Sequence, residues 1–351
     1  SKNLIDNISS RVTIFTPFSS QKISSTYETI QCWELDNDIS QELNQLFNNV
    51  INAQITSLVI QFNYGFFNFS ELSSFIDKLS SHKINIILFM HSTLDPIGNN
   101  KKRLEDLIPS LSKCRRILVH TLTDLNRLKL LGLKDNVSLF PHGINYIPSS
   151  LESSNDFSRD NFFSKKNKLR IASYGFCLPN KGFDTLINSF NFLREQRLNV
   201  SLKLFTSIHE SSLSIGYYNK LKNMIKESKY SKYISINSEY LTDQEILLNL
   251  SKADLVVYPY QFSNESSSAS VRHGIASDSP VMVSPSPIFE DVRSCVLSTS
   301  GYGSDDFSKS ILKFFSNNNN IQSKSLRNWK DQHAFSKIGK RLNGIIRALL
   351  Q

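Results

Sequence analysis

The feature that most constrains this chain is an alternation of two patterns. In the first half, short apolar runs recur: "RVTIFTPF" (11–18), "TIQCWEL" (29–35), "SLVIQFN" (57–63), "INIILFMH" (84–91), "RILVH" (116–120) and "VSLFPHG" (137–143). Between several of them lie segments with helical spacing of apolar residues: "ISQELNQLFNNVINAQ", "FSELSSFIDKLSSH", "RLEDLIPSLSKC" and "LTDLNRLKLLGL". A strand that is apolar at nearly every position is buried on both faces, and parallel strands need crossovers that helices supply. The alternation therefore predicts an α/β chain with parallel sheets covered on both sides.

The stretch from 145 to 168, "NYIPSSLESSNDFSRDNFFSKKNK", breaks the pattern with Ser, Asn and charge, as a linker does. The alternation then restarts with strands "LRIASYG", "VSLKLFTS", "YISINSEY", "DLVVYPY" and "VMVSPS", separated by helical segments, and closes on helical segments near 305–316 and 322–350. A length of 351 residues also exceeds one ordinary core. The expected organisation is two doubly wound, Rossmann-like domains facing each other across a cleft: residues 1–150, a linker at 151–168, and 169–351 with the closing helices. Ligands of such sheets bind beyond the carboxyl ends of the strands, so the residues just after strands matter most.

Composition narrows the partners. A net charge of +9 fits either an anionic ligand or a basic solvated surface. The Lys and Arg residues are scattered and not interleaved with aromatics in a recognised motif, which argues against nucleic acid. Cys32, Cys114, Cys177 and Cys295 are far apart, which speaks against a structural zinc site or a disulfide framework and for a reducing cytoplasm. No apolar run approaches the ~20 residues of a membrane span, and no signal peptide is expected. The basic, amphipathic "SKIGKRLNGIIRALL" packs on the first domain or touches anionic lipid at the membrane surface.

Two stretches that follow strands carry the chemistry. In "YGFCLPNKGFDTL", Gly175 ends a strand and Lys181-Gly182 opens a helix. A helix start offers unpaired N–H groups and partial positive charge, and Lys181 adds a full charge, which suits phosphate. By itself the stretch is equally a plain strand–turn–helix junction. In "NESSSASVRHGIASDSPVMVS", Glu265 can accept hydrogen bonds from neutral hydroxyls. The N–H groups of Ser268, Ala269 and Ser270 stand at the helix start, where a diphosphate can be met. Capping and the helix dipole alone would also favour these residues there.

From Lys168 to about Val292 the chain resembles the nucleotide-sugar domain of retaining family 4 glycosyltransferases, which have the GT-B fold. "YGFCLPNKGFDTLINSF" is similar to the family's Gly-Arg-x-x-x-x-Lys-Gly phosphate segment, and "DLVVYPYQFSNESSSASVRHGIASDSPVMVS" to its Glu-x7-Glu segment. Tyr260-Gln261, Glu265–Arg272 and Ile288–Val292 resemble bacterial mannosyltransferase-type enzymes that build O-antigen and other surface polysaccharides. "VIQFNYGFF", "ILFMHST" and "LFPHGIN" resemble the acceptor-side domain more loosely.

The resemblance implies a metal-independent retaining transferase. It would move a sugar from a nucleoside-diphosphate donor to a glycan or lipid-linked glycan, in the cytoplasm or at the inner face of the plasma membrane. Lys181 and the helix starts after Gly175 and Glu265 would neutralise the leaving diphosphate. Glu265 would hold the donor sugar, His91 would contact that sugar from the first domain, and the backbone of Tyr240-Leu241 would border the base. The family's Arg falls on Phe176 and its second Glu on His273, which would reach a ribose hydroxyl, while Arg272 is expected to restore charge near the diphosphate. The chain has no Gly before Gly65, so the family's first strand and Gly-rich loop are expected to be missing, by truncation or degeneration. Two alternatives accompany this reading: a non-catalytic GT-B module in a larger polysaccharide-assembly protein, and a nucleotide-sugar epimerase.

Overall fold

The computed structural model describes residues 2–18, 26–35, 42–99, 101–145, 168–316 and 324–349. The linker expected at 151–168 lies, but for Lys168, outside the described residues. The chain divides into two units: Ser1–Gly143 with Asn264–Ser267 and Phe335–Gln351, and Ile144–Ser263 with Ser268–Ala334.

In the first unit, β1 (Thr13–Pro17) and β2 (Glu28–Trp33) form a two-stranded parallel sheet. Strands β3 (Ser57–Phe62), β4 (Asn85–Met90), β5 (Arg116–Val119) and β6 (Val137–Leu139) form a second, all-parallel sheet in chain order. Helices α1 (Lys2–Ile5), α2 (Asn44–Asn52), α3 (Phe69–Ser81), α4 (Leu104–Leu111) and α5 (Leu122–Leu130) accompany them. The apolar run of β4 has a direct cause: Ile86, Leu88 and Met90 enter one core, while Ile87 and Phe89 enter the core on the opposite face. Helix α3 starts where the Asn68 side chain accepts hydrogen bonds from the N–H groups of Ser70 and Glu71, and it buries Phe69, Leu72, Phe75, Ile76 and Leu79 at helical spacing.

The second unit holds β7 (Leu169–Phe176), β8 (Val200–Ser207), β9 (Ile234–Asn237), β10 (Leu255–Tyr258), β11 (Val281–Val283) and β12 (Leu297–Ser298). They form one parallel sheet in the order β12-β11-β10-β7-β8-β9. Helices α6 (Phe183–Glu195), α7 (Ser212–Glu227), α8 (Asp243–Leu250), α9 (Ala269–Ala276), α10 (Ser304–Ser316) and α11 (Lys324–His333) follow in sequence. Again the strands feed two cores: Leu255 and Val257 of β10 enter one, and Val256 and Tyr258 the other. The strand order reverses between β7 and β10, so their carboxyl ends flank a switch point, where open α/β sheets bind ligands.

The closing stretch differs from the single helix expected at 322–350. It is two helices, α11 and α12 (Phe335–Leu349), because Ala334 forms a parallel bridge with Ile144, whose N–H donates to the His333 carbonyl at 2.8 Å. The apolar face of α12, Ile338, Leu342 and Ile346, packs with Ile87, Phe89, Leu118 and Phe140 of the first unit's sheet. Residues 335–351 therefore go with the first unit and not with 169–334. Strand β12 and the 3-10 turns over Pro287–Cys295 were not expected, being too short or too irregular to leave a period.

Candidate active-site elements

At the switch point of the second unit, β7 gives way to a 3-10 turn at Pro179–Lys181 and then to α6. Gly182 sits at φ 69°, and a Cβ there would lie 2.0 Å from the Pro259 carbonyl oxygen, so only glycine lets the exit of β7 approach the exit of β10 this closely. The approach places Lys181 Nζ 4.1 Å from the centre of the Tyr260 ring. Lys181 is 6% exposed and Tyr260 1%. The Tyr260 hydroxyl is buried and makes no hydrogen bond among the described residues. A Cβ on Gly175 would come within 3.3 Å of that hydroxyl and 3.8 Å of Ser270 Oγ. Gly175, Lys181, Tyr260 and Ser270 thus meet at one place. A buried ammonium over an aromatic face, and a hydroxyl that makes no hydrogen bond among the described residues at a cost of about 1–3 kcal/mol, are groups with which an oxygen-rich anion can pair.

Helix α9 begins beside it. Ser268 is its N-cap and accepts from the Val271 N–H at 3.3 Å, which fixes the helix start. The N–H groups of Ala269 and Ser270 have no intrahelical acceptor by construction, and they carry the positive end of the helix dipole.

Arg272 does not take the role expected of it. It is 3% exposed, its guanidinium donates to the Ser268 carbonyl at 2.7 Å and pairs with Asp291, and it faces the interior instead of a diphosphate. The reason is helical geometry: in α9 its neighbours Val271 and Ile275 are also buried, so position 272 shares the inward side. His273 turns outward. Its Nε2 lies 3.0 Å from Asp243 Oδ1, its Nδ1 3.2 Å from the Ala269 carbonyl, and its ring packs edge-on against Tyr174. Asp243, at the start of α8, also accepts from Asn145 Nδ2 at 2.5 Å. Tyr240 precedes α8 and is 84% exposed, while Leu241 is half-buried. Phe176 is half-exposed, with its ring centre 4.5 Å from that of His209.

The first unit holds the other two expected residues. His91 follows β4; its Nε2 lies 2.8 Å from Gln61 Oε1 and its Nδ1 3.3 Å from His120 Nε2. Burial, with the charge of neighbouring His120 second, holds the His91 imidazole down to about 4. The His91 carbonyl accepts from the Ser266 N–H at 3.0 Å, the Ser92 hydroxyl donates to the Asn264 carbonyl at 2.5 Å, and Asn264 Nδ2 donates to the Asp95 carbonyl at 3.1 Å. These bonds explain why Asn264–Ser267 belongs to the first unit, and they seat Glu265, whose side chain is exposed, beside the turn that carries His91.

Within the first unit the backbone of Ser266, next to Glu265, is tied to His91; within the second, Lys181 meets Tyr260, Gly175 and Ser270. Sequence reasoning overlooked Tyr260, Asp243, Asp291, Gln61 and His120. His120 had a legible signal: it ends "RILVH" as His91 ends "INIILFMH". Asp291 lay inside the Ile288–Val292 stretch that carried the resemblance, but its pairing with Arg272 left no signal, because the two lie on different elements.

No family model matches this chain, and no curated protein matches it. Solved structures do. The chain is similar to sucrose-phosphate synthase from Thermosynechococcus elongatus, with a TM-score of 0.75 at 12% identity over 99% of this chain and 91% of that one. A glycosyltransferase from Rickettsia africae matches with a TM-score of 0.68 at 11% identity, over 93% of this chain and 86% of that one. HepE from Anabaena, solved with UDP and glucose, matches with a TM-score of 0.65 at 10% identity, over 92% and 86%. The architecture is α/β with two Rossmann-like domains, the fold of GT-B glycosyltransferases.

Proposed function

We propose that this chain is a retaining glycosyltransferase of family 4 type. It moves a sugar, mannose by its resemblance to mannosyltransferases, from a nucleoside diphosphate to a hydroxyl of a glycan or lipid-linked glycan in surface polysaccharide synthesis. The observation that carries the reading is the buried Lys181 ammonium over Tyr260, with the unpartnered Tyr260 hydroxyl and Gly175 beside it, at the switch point of a GT-B sheet. HepE, of like fold, was solved with UDP and glucose.

In this mechanism the diphosphate leaves as the sugar gains oxocarbenium character. Lys181 and the α9 N-terminus stabilise the departing charge without a metal ion, as preorganised donors do. Glu265 accepts hydrogen bonds from sugar hydroxyls, and His91 meets the same sugar. Tyr240 and Leu241 border the base, and His273, braced by Asp243, reaches the ribose. The work takes place in the cytoplasm or at the inner face of the plasma membrane. Among the described residues no helix is long and apolar enough to cross a membrane.

Isothermal titration with UDP, GDP and their sugars, on the wild type and Lys181→Ala, tests the reading. Binding that the substitution weakens supports it; no binding of either nucleotide at millimolar concentration ends it. A second reading, a non-catalytic GT-B module, is favoured by one pair of observations: Phe176 stands where the family's cation would, and Arg272 is turned inward. Donor turnover by the full-length protein separates the two.

A further inference from the structure

We propose that His120 is a positioning residue that sets the tautomer of His91, with Nδ1 carrying the proton and Nε2 left as an acceptor. The inference deepens the proposed function, since it rests on His91 being the residue that meets the donor sugar.

Three consecutive parallel strands of the first unit each deliver a histidine just beyond the carboxyl end: His91 after β4, His120 after β5 and His142 after β6. The ring centres of His91 and His120 are 5.3 Å apart, as are those of His120 and His142. His120 is 5% exposed. Its orientation is dictated from one end, by the carbonyl of Phe140, 3.0 Å from Nδ1.

A carbonyl oxygen can only accept, so His120 Nδ1 bears a proton and donates it to Phe140. A neutral His120 then has a lone pair on Nε2, which faces His91 Nδ1 at 3.3 Å. His91 must supply the proton of that bond, so in its own neutral form His91 has the lone pair on Nε2. The next neighbour along the line is the side-chain amide of Gln61, 2.8 Å from His91 Nε2. With the Gln61 oxygen facing that nitrogen, three hydrogen bonds would need three protons where two neutral rings bring two. A half-turn of the amide, which puts its NH2 in the place of its oxygen, closes the line without charging either ring. The alternative is an imidazolium on one of the two rings, and burial, which leaves His120 5% exposed and disfavours a charged His91, makes that the costlier solution.

The consequence is chemical selectivity at His91. As an acceptor, Nε2 takes a hydrogen bond from the Gln61 amide, or from a neutral sugar hydroxyl that displaces that amide, and it repels an anionic phosphate oxygen. The same ring, anchored at both nitrogens, also steadies the His91 carbonyl that accepts from the Ser266 N–H beside Glu265. His120 thus acts on both residues without touching a ligand.

The test is nitrogen-15 NMR of the histidine side chains in the full chain near neutral pH. In the wild type, His91 is expected to show a protonated Nδ1 and a bare Nε2. His120→Phe fills the space but cannot accept, so His91 should change to the Nε2-protonated form, while His120→Asn, whose amide oxygen accepts, should keep the original tautomer. In the transfer assay His120→Phe should lower kcat about tenfold, with the Kd for nucleoside diphosphate unchanged and the Asn variant largely restored. A wild-type His91 protonated on Nε2, or a tautomer that His120→Phe leaves unchanged, overturns the proposal. Should His120→Phe fail to fold, the wild-type spectrum and the Asn variant decide. Absence of nucleotide binding would instead overturn the transferase reading and leave the tautomer result standing.

Discussion

Lys181 Nζ lies 4.1 Å from the centre of the Tyr260 ring, and both side chains are buried. They follow the two strands at which the sheet order reverses, so one contact joins both exits of the switch point. If this is where the diphosphate is met, Lys181→Met, which keeps the apolar stem on the ring, should raise the Kd for UDP or GDP about ten- to a hundredfold. The variant should melt close to the wild type. Titration calorimetry and thermal unfolding check both halves, and unchanged affinity would remove the lysine from the site.

Glu265→Gln isolates the sugar from the nucleotide. An amide keeps the shape but loses the charge-assisted acceptance of hydroxyl protons. The expected outcome is a fall in kcat/KM for transfer of about a hundredfold, with the Kd for the free nucleoside diphosphate unaltered. Loss of nucleotide affinity in this variant would show that the carboxylate serves the diphosphate side instead.

Arg272 and Asp291 form a structural pair. Arg272→Ala removes a buried guanidinium from its part-buried carboxylate partner and should cost about 3 kcal/mol of stability, read from denaturant unfolding. Arg272→Met combined with Asp291→Leu removes both charges and should recover most of that loss. A donor KM that rises in the folded double variant would return Arg272 to the ligand.

The His91 ring makes stability depend on pH. Its folded value is held at about 4, below the ordinary 6.5 of an unfolded imidazole. The unfolded chain therefore binds the proton first: stability falls as pH drops through 6.5, and the loss is complete below about 4. The span corresponds to on the order of 3 kcal/mol. His91→Phe should flatten that part of the stability profile relative to wild type, as measured by urea unfolding at stepped pH.

The strands were legible because burial on both faces writes itself into sequence as unbroken apolar runs, β4 and β10 above all. The strand–turn–helix junction at Gly175 and Lys181 was legible from the order of apolar run, turn and helical spacing, but a Lys-Gly pair at such a turn is common and did not by itself tell a site from a plain junction. The burial of Arg272 was not legible, because a guanidinium on the inward side set by Val271 and Ile275 is tolerated through its pairing with Asp291, which lies on another element. The tie between Ser266 and His91 was invisible for the same kind of reason, since a backbone hydrogen bond selects no residue type. The extent of the closing helix was misjudged because its interruption at Ala334 comes from Ile144, far back in the chain.

The place of α12 bears on synthesis. Ile87, Phe89, Leu118 and Phe140 emerge from the ribosome long before Ile338, Leu342 and Ile346, which cover them. In that interval one side of the nascent sheet presents a greasy patch, so chaperone demand should persist until α12 has been made and should fall once it docks.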